Sequence, residues 1–95
     1  MFERILNRLR ECVRTKNYVV TLHADEEIAE EGLSILDVER AIIKGQITER
    51  QKDADTGEWK YLVSGPLRVD EVITVVTKLS PTGRMVLITV FNDED

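Results

Sequence analysis

The chain reads as an α+β domain: two or three short helices, then a four-stranded antiparallel sheet. Apolar residues recur at helical steps as far as Gly45, the period then shortens to two, and turn residues cut the second half into short runs.

Phe2, Ile5, Leu6, Leu9 and Val13 follow one another at three- and four-residue steps, with Arg4, Arg8, Arg10, Glu11 and Arg14 between them. That spacing predicts an amphipathic helix over residues 2–15, closed by Asn17. Tyr18 to Leu22 is a short β-leaning run that delivers the chain to His23. Good helix formers follow from Ala24 to Glu31, and Asp25, Glu26 and Glu27 near their start complement the positive end of the helix dipole. Gly32 is expected as a left-handed cap. Ser34 and Asp37 have the spacing of a capping box with the shorter acid, and Val38, Ala41 and Ile42 give the next helix a buried stripe until Gly45 ends it.

Beyond Gly45, residues 46–52 alternate weakly and Asp55-Thr56-Gly57 supplies a turn. Residues 58–64 place Trp59, Tyr61 and Val63 on one face before Gly65-Pro66 breaks the run. Residues 71–79 form a strongly β-branched strand, Pro81-Thr82-Gly83 a tight turn, and residues 84–91 the last strand. Short connections throughout predict an antiparallel meander. The last two strands are apolar on both faces, so the second face is expected to be covered by the first helix, by the tail or by another copy of the chain; a homodimer is the expectation.

Ninety-five residues suit one domain over residues 1–95, with 42% apolar and 33% charged residues, a balance that favours a packed core over disorder. No apolar stretch approaches the roughly 20 residues of a membrane span, and the charged opening residues do not read as a secretory signal. A single cysteine, Cys12, rules out an internal disulfide and points to a reducing, cytoplasmic setting with the thiol packed in the first helix. The net charge of −5 is uneven: residues 1–22 carry five basic and two acidic groups, residues 23–45 two basic and seven acidic, and residues 46–91 six of each. The acidic tail, residues 92–95, is expected to fray. Contact with a polyanion such as RNA must therefore be local, because the overall field repels phosphate.

His23 is the one side chain whose ordinary pKa lies near neutral, which makes it the natural proton carrier, although a lone histidine at a helix start commonly only caps or packs. Thr89 places a hydroxyl among Met85, Leu87 and Phe91 on one face of the last strand, where it needs a hydrogen-bond partner or could orient a substrate. Arg68, Lys78 and Arg84, with Lys60, are cations of the sheet region that could face a phosphate. Trp59 and Tyr61 could stack bases, though alternate strand positions more often pack. Metal-ligand spacing, a phosphate-binding loop, a nucleophile elbow and a dinucleotide fingerprint are all missing, so neither a metal nor a cofactor is expected.

In order along the chain, His23-Ala24, Gly32-Leu33-Ser34, Asp37-Val38, Ala41-Ile42, Gly45 and Ile88-Thr89-Val90-Phe91 resemble the pattern of domain of unknown function 4258, a family similar to the RelE and ParE toxins. The resemblance runs from about Tyr18 to Phe91. It implies a RelE-like, barnase-related fold and metal-independent RNA cleavage, with His23 as acid or base, Thr89 as an orienting hydroxyl and cations that stabilise the developing charge; Arg68, Lys78 or Arg84 are the candidates for those phosphate contacts. An antitoxin or another small protein would be the partner. Glu27 and Glu31 stand where many relatives carry basic residues, and Phe91 where tyrosine is frequent. The acidity of the chain favours a second class of function, a non-catalytic interaction domain that pairs through its sheet.

Overall fold

A computed structural model of the chain describes residues 1–93. The elements run α1 (Glu3–Arg14), β1 (Tyr18–Val20), α2 (Leu22–Glu30), α3 (Ile35–Lys44), β2 (Gln46–Lys52), β3 (Trp59–Pro66), β4 (Val72–Leu79) and β5 (Met85–Asn92). The sheet order is β1-β5-β4-β3-β2. Strands β2 to β5 form the expected antiparallel meander. The sheet nevertheless has five strands and is mixed, because β1 pairs in parallel with β5, Tyr18 to Met85 and Val20 to Leu87. The β-leaning run before His23 is thus a true edge strand. Its three residues suffice because the Thr21 amide extends the ladder to the Leu87 carbonyl at 3.1 Å.

Capping chemistry sets the helix boundaries. Thr21 caps α2 by accepting the Ala24 amide proton at 3.1 Å, and Gly32 then reverses the chain at φ +68°. The Ser34–Asp37 capping box forms in both directions at the start of α3. At the end of α1 the left-handed residue is Lys16, at φ 59°, and the amides of Lys16 and Asn17 reach back to the Val13 and Cys12 carbonyls.

All three helices lie on one face of the sheet. Leu9, Val38, Ile42, Val63, Ile73 and Val75 sit at the centre of a single core that also takes Met85, Leu87 and Val90 from β5. Two glycines let α3 settle deeply onto β3. A Cβ at Gly65 would lie 2.1 Å from the Ala41 carbonyl oxygen, and one at Gly45 would lie 2.3 Å from the Ser64 oxygen. Gly65-Pro66 therefore does not break β3, which continues to a pair between Pro66 and Val72. Arg10 ties α1 to the end of α3 by donating to the carbonyls of Ile42 (3.3 Å) and Gly45 (2.9 Å).

A bulge changes which way the end of β5 faces. Val76 pairs with Thr89 but Thr77 pairs with Leu87, so Ile88 is an inserted residue. Met85 and Leu87 are buried under the helices, whereas Thr89 and Phe91 move to the opposite face and Val90 takes the core position. Simple alternation assigns Thr89 and Phe91 to the wrong side.

That opposite face carries half-buried Leu62, Val76, Val86 and Ile88, with Val19, Val72 and Phe91 more exposed. Helix α1 does not cover it. The tail covers one corner: Asp93 donates its amide to the Val72 carbonyl (3.0 Å) and accepts the Thr74 hydroxyl proton (2.6 Å), beside Ser64. Asp93 is thereby pinned instead of frayed, and the last two residues of the expected tail lie outside the described residues.

Candidate functional site

The open face holds a cleft of about 250 Å3 where the β2–β3 hairpin meets β4 and β5. Lys60 and Lys78 line it, with Thr21, Val86 and Ile88 on the β5 side. The register explains the lysine pair. Tyr61 faces Thr77 across β3 and β4, so one step outward Lys60 stands opposite Lys78. Like charges directly opposed across a ladder disfavour the sheet unless something neutralises them. Here Glu58 accepts from Lys78 Nζ at 3.2 Å, and Asp53 completes the rim.

The hairpin loop shapes that rim. Asp53 Oδ1 accepts the amides of Asp55 (2.9 Å) and Thr56 (3.2 Å), and Gly57 turns the chain at φ +73°. Those two amides hold the Asp53 carboxyl below its ordinary range, and the Lys60 and Lys78 charges pull the same way. The result is two cations and two carboxylates around one partly apolar cleft. An oxyanion entering it would meet both ammonium groups and compete with Glu58 for Lys78.

His23 lies in the first turn of α2 with its ring mostly exposed, and its Nε2 is 3.4 Å from Glu27 Oε1 one turn later. The same Glu27 oxygen accepts the Val90 amide proton at 3.0 Å. β1 has ended before this level, so Val90 has no strand on that side and Glu27 fills the vacancy. A chain of contacts thus runs from the imidazole through Glu27 to the backbone beside Thr89. Thr89 itself faces the open side, opposite Val76 and on the same face as Lys78.

The other two predicted cations lie elsewhere. Arg68 follows β3, pairs with Glu71 at 3.6 Å and lines a groove against α3. Arg84 precedes β5 and donates to Asn17 Oδ1 at 3.3 Å. The eight residues of β4 separate the two ends, a span of roughly 25 Å at the usual rise per residue. Arg68 and Arg84 do not converge on one phosphate, and neither lines the lysine cleft. Neither His23 nor Thr89 is among the residues lining that cleft. Sequence reasoning names Lys60 but misses Asp53 and Glu58, whose role depends on the hairpin register.

A second polar cluster is structural. Glu39, buried on α3, accepts from Lys16 Nζ (2.7 Å) and from the Tyr18 hydroxyl (2.6 Å), which locks the α1–β1 connection onto α3. Burial acts to raise the Glu39 carboxyl, but the bonds from Lys16 and Tyr18 outweigh it and hold the group below its ordinary value. Burial, the bond to Glu39 and its charge push the Tyr18 phenol up to about 12. Among the described residues no group of three His, Cys, Asp or Glu side chains could hold a metal ion, and no helix is long and apolar enough to cross a membrane.

The sequence profile of the family described as Domain of unknown function (DUF4258) matches residues 20–92. That stretch takes in α2, α3 and β2 to β5, including the lysine cleft and the His23–Glu27 pair. The chain belongs to the DUF4258 family. No curated protein and no solved structure matches it. The matched region of this DUF4258 chain leaves out α1, although Leu6, Leu9, Cys12 and Val13 of α1 are part of the core.

Proposed function

We propose that this DUF4258 chain is a RelE-like, barnase-related domain of the toxin superfamily that receives an RNA strand on the open face of its sheet and cleaves it without a metal ion. The opposed Lys60–Lys78 pair carries the reading: two ammonium groups on one exposed cleft match a phosphodiester and the negative charge that develops on it. In the reaction a base removes the ribose 2′-hydroxyl proton, that oxygen bonds to phosphorus, and the bond to the 5′-oxygen breaks as that oxygen takes a proton. His23, outside the cleft but two residues after the cleft-lining Thr21, is the proton carrier for a strand that runs from the cleft towards α2, with Glu27 positioning its ring. Thr89 orients the substrate, and Lys78 replaces Arg68 and Arg84 as the phosphate contact, joined by Lys60.

The test is incubation of single-stranded RNA with purified protein in the presence of a chelator. Cleavage leaving 2′,3′-cyclic phosphate ends is expected, abolished in the Lys60→Ala/Lys78→Ala variant and slowed in His23→Ala. RNA left intact by the wild-type protein overturns the enzymatic reading.

The second reading is a non-catalytic interaction domain that forms a homodimer, or binds a small antitoxin-like protein, through the same face. Phe91 and Val72, about two-fifths exposed, and their half-buried neighbours Leu62 and Val76 favour it. A dimer in sedimentation that Phe91→Lys converts to monomer supports this reading, and a monomer at high concentration refutes pairing.

A further inference from the structure

The groove between α3 and the β3–β4 connection, about 590 Å3 in volume, belongs to neither site described above. Arg40 and Lys44 project from α3 on one wall, and Pro66, Arg68 and Val69 form the other. Among the described residues, three cations and one carboxylate, Asp37, line it on a chain whose net charge is −5. Within the lining itself the cations outnumber the carboxylate. Arg40 lies 3.8 Å from Asp37 and Arg68 lies 3.6 Å from Glu71, both long pairs with an exposed guanidinium and so weak in water, while Lys44 has no ion pair with any described residue. Arg10, bound to the carbonyls that end α3, adds positive charge at the far end.

Aliphatic surface lies beside these cations. Val69 is 89% exposed and Leu36, one turn before Arg40 on α3, is 66% exposed. No aromatic side chain lines the groove, so a nucleic acid would find phosphate contacts without a surface on which to stack its bases. A helix that carries leucines on one face and carboxylates beside them satisfies both features. We infer that the groove formed by Arg40, Lys44, Arg68 and Val69 is a docking site for an acidic amphipathic helix of a partner protein. The cations pair with its carboxylates at the rim, and Val69 and Leu36 take its apolar side chains.

The probe is a short, fluorescently labelled acidic peptide with leucines at three- and four-residue steps, titrated into the full chain at low and high salt. Saturable, salt-sensitive binding is expected, weakened about tenfold or more in Arg40→Glu/Lys44→Glu. Val69→Ser, which changes no charge and alters no core residue, is expected to weaken it several-fold, with amide shifts at residues 67–69 marking the site. Absence of binding, or binding indifferent to both variants, overturns the inference. So does an RNA oligomer that binds the groove in the peptide's place. Self-association abolished by the same charge reversals also overturns it, because the acidic α2 of a second copy is then the occupant.

Discussion

Glu27 and Val90 are joined by a 3.0 Å hydrogen bond in which a helix side chain takes the proton that a neighbouring strand would accept if β1 were longer. Glu27→Ala leaves a buried amide unpaired and is expected to cost about 1–3 kcal/mol. Glu27→Gln keeps an acceptor and should cost less. Urea unfolding of both variants checks this, and equal losses would count against the edge-capping role.

The bulge at Ile88 reverses an expectation drawn from alternation. Val90→Ser is expected to destabilise by about 2–4 kcal/mol, since it removes core volume and buries a hydroxyl. Phe91→Ser should cost less than about 1 kcal/mol, because its ring is exposed. Thermal unfolding that ranks the two in the opposite order would show the last strand in the other register.

Gly65→Ala should be among the most damaging single changes. Its Cβ would meet Ala41 backbone that has no freedom to withdraw, so α3 must lift from β3 at a cost of about 3 kcal/mol or more. Gly32→Ala meets open space and bears only the left-handed strain of about 1 kcal/mol. The difference between their unfolding midpoints tests the close approach.

Stability should also depend on pH at both extremes through Glu39 and Tyr18. The folded Glu39 carboxyl lies below its unfolded value, so its contribution is present above the ordinary glutamate range and is lost as the pH falls through the folded value. The Tyr18 phenol is raised from 10.0 to about 12, so its contribution is complete below 10 and disappears as the pH rises towards 12. In Glu39→Gln the acid-side loss should shrink, and in Tyr18→Phe the alkaline loss should vanish. Unfolding curves across pH read both.

In the lysine cleft, Glu58→Gln frees Lys78 from its internal partner. Affinity for inorganic phosphate, measured by titration calorimetry, is expected to rise roughly two- to fivefold, in line with an exposed pair. Unchanged affinity would mean that the carboxylate does not compete for the lysine.

The three helices and four of the five strands are legible in the sequence because each has a period long enough to repeat. Capping residues such as Ser34 and Asp37 mark their own boundaries. β1 is too short to show a period, and its pairing depends on a strand that lies 67 residues further along. The bulge is invisible to any alternating pattern, which is why Thr89 is legible as a hydroxyl but not as to which face it occupies. Lys60 and Lys78 are ordinary strand lysines until the register sets them opposite each other. His23 is legible as a titratable group near a helix start, but the carboxylate it meets reaches it through the helical turn, and that carboxylate's other partner comes from β5.

The parallel pairing of β1 with β5 has a consequence for synthesis. The segment that follows the first helix finds its neighbour only after Met85, Val86 and Leu87 have left the ribosome. Until then Tyr18 and Val20 lack the strand they pack beside and the core lacks Met85, Leu87 and Val90, so a nascent chain stopped at the Pro81–Gly83 turn is expected to be a target for chaperones and proteases. Assembly of this domain is thereby deferred to the moment of its completion.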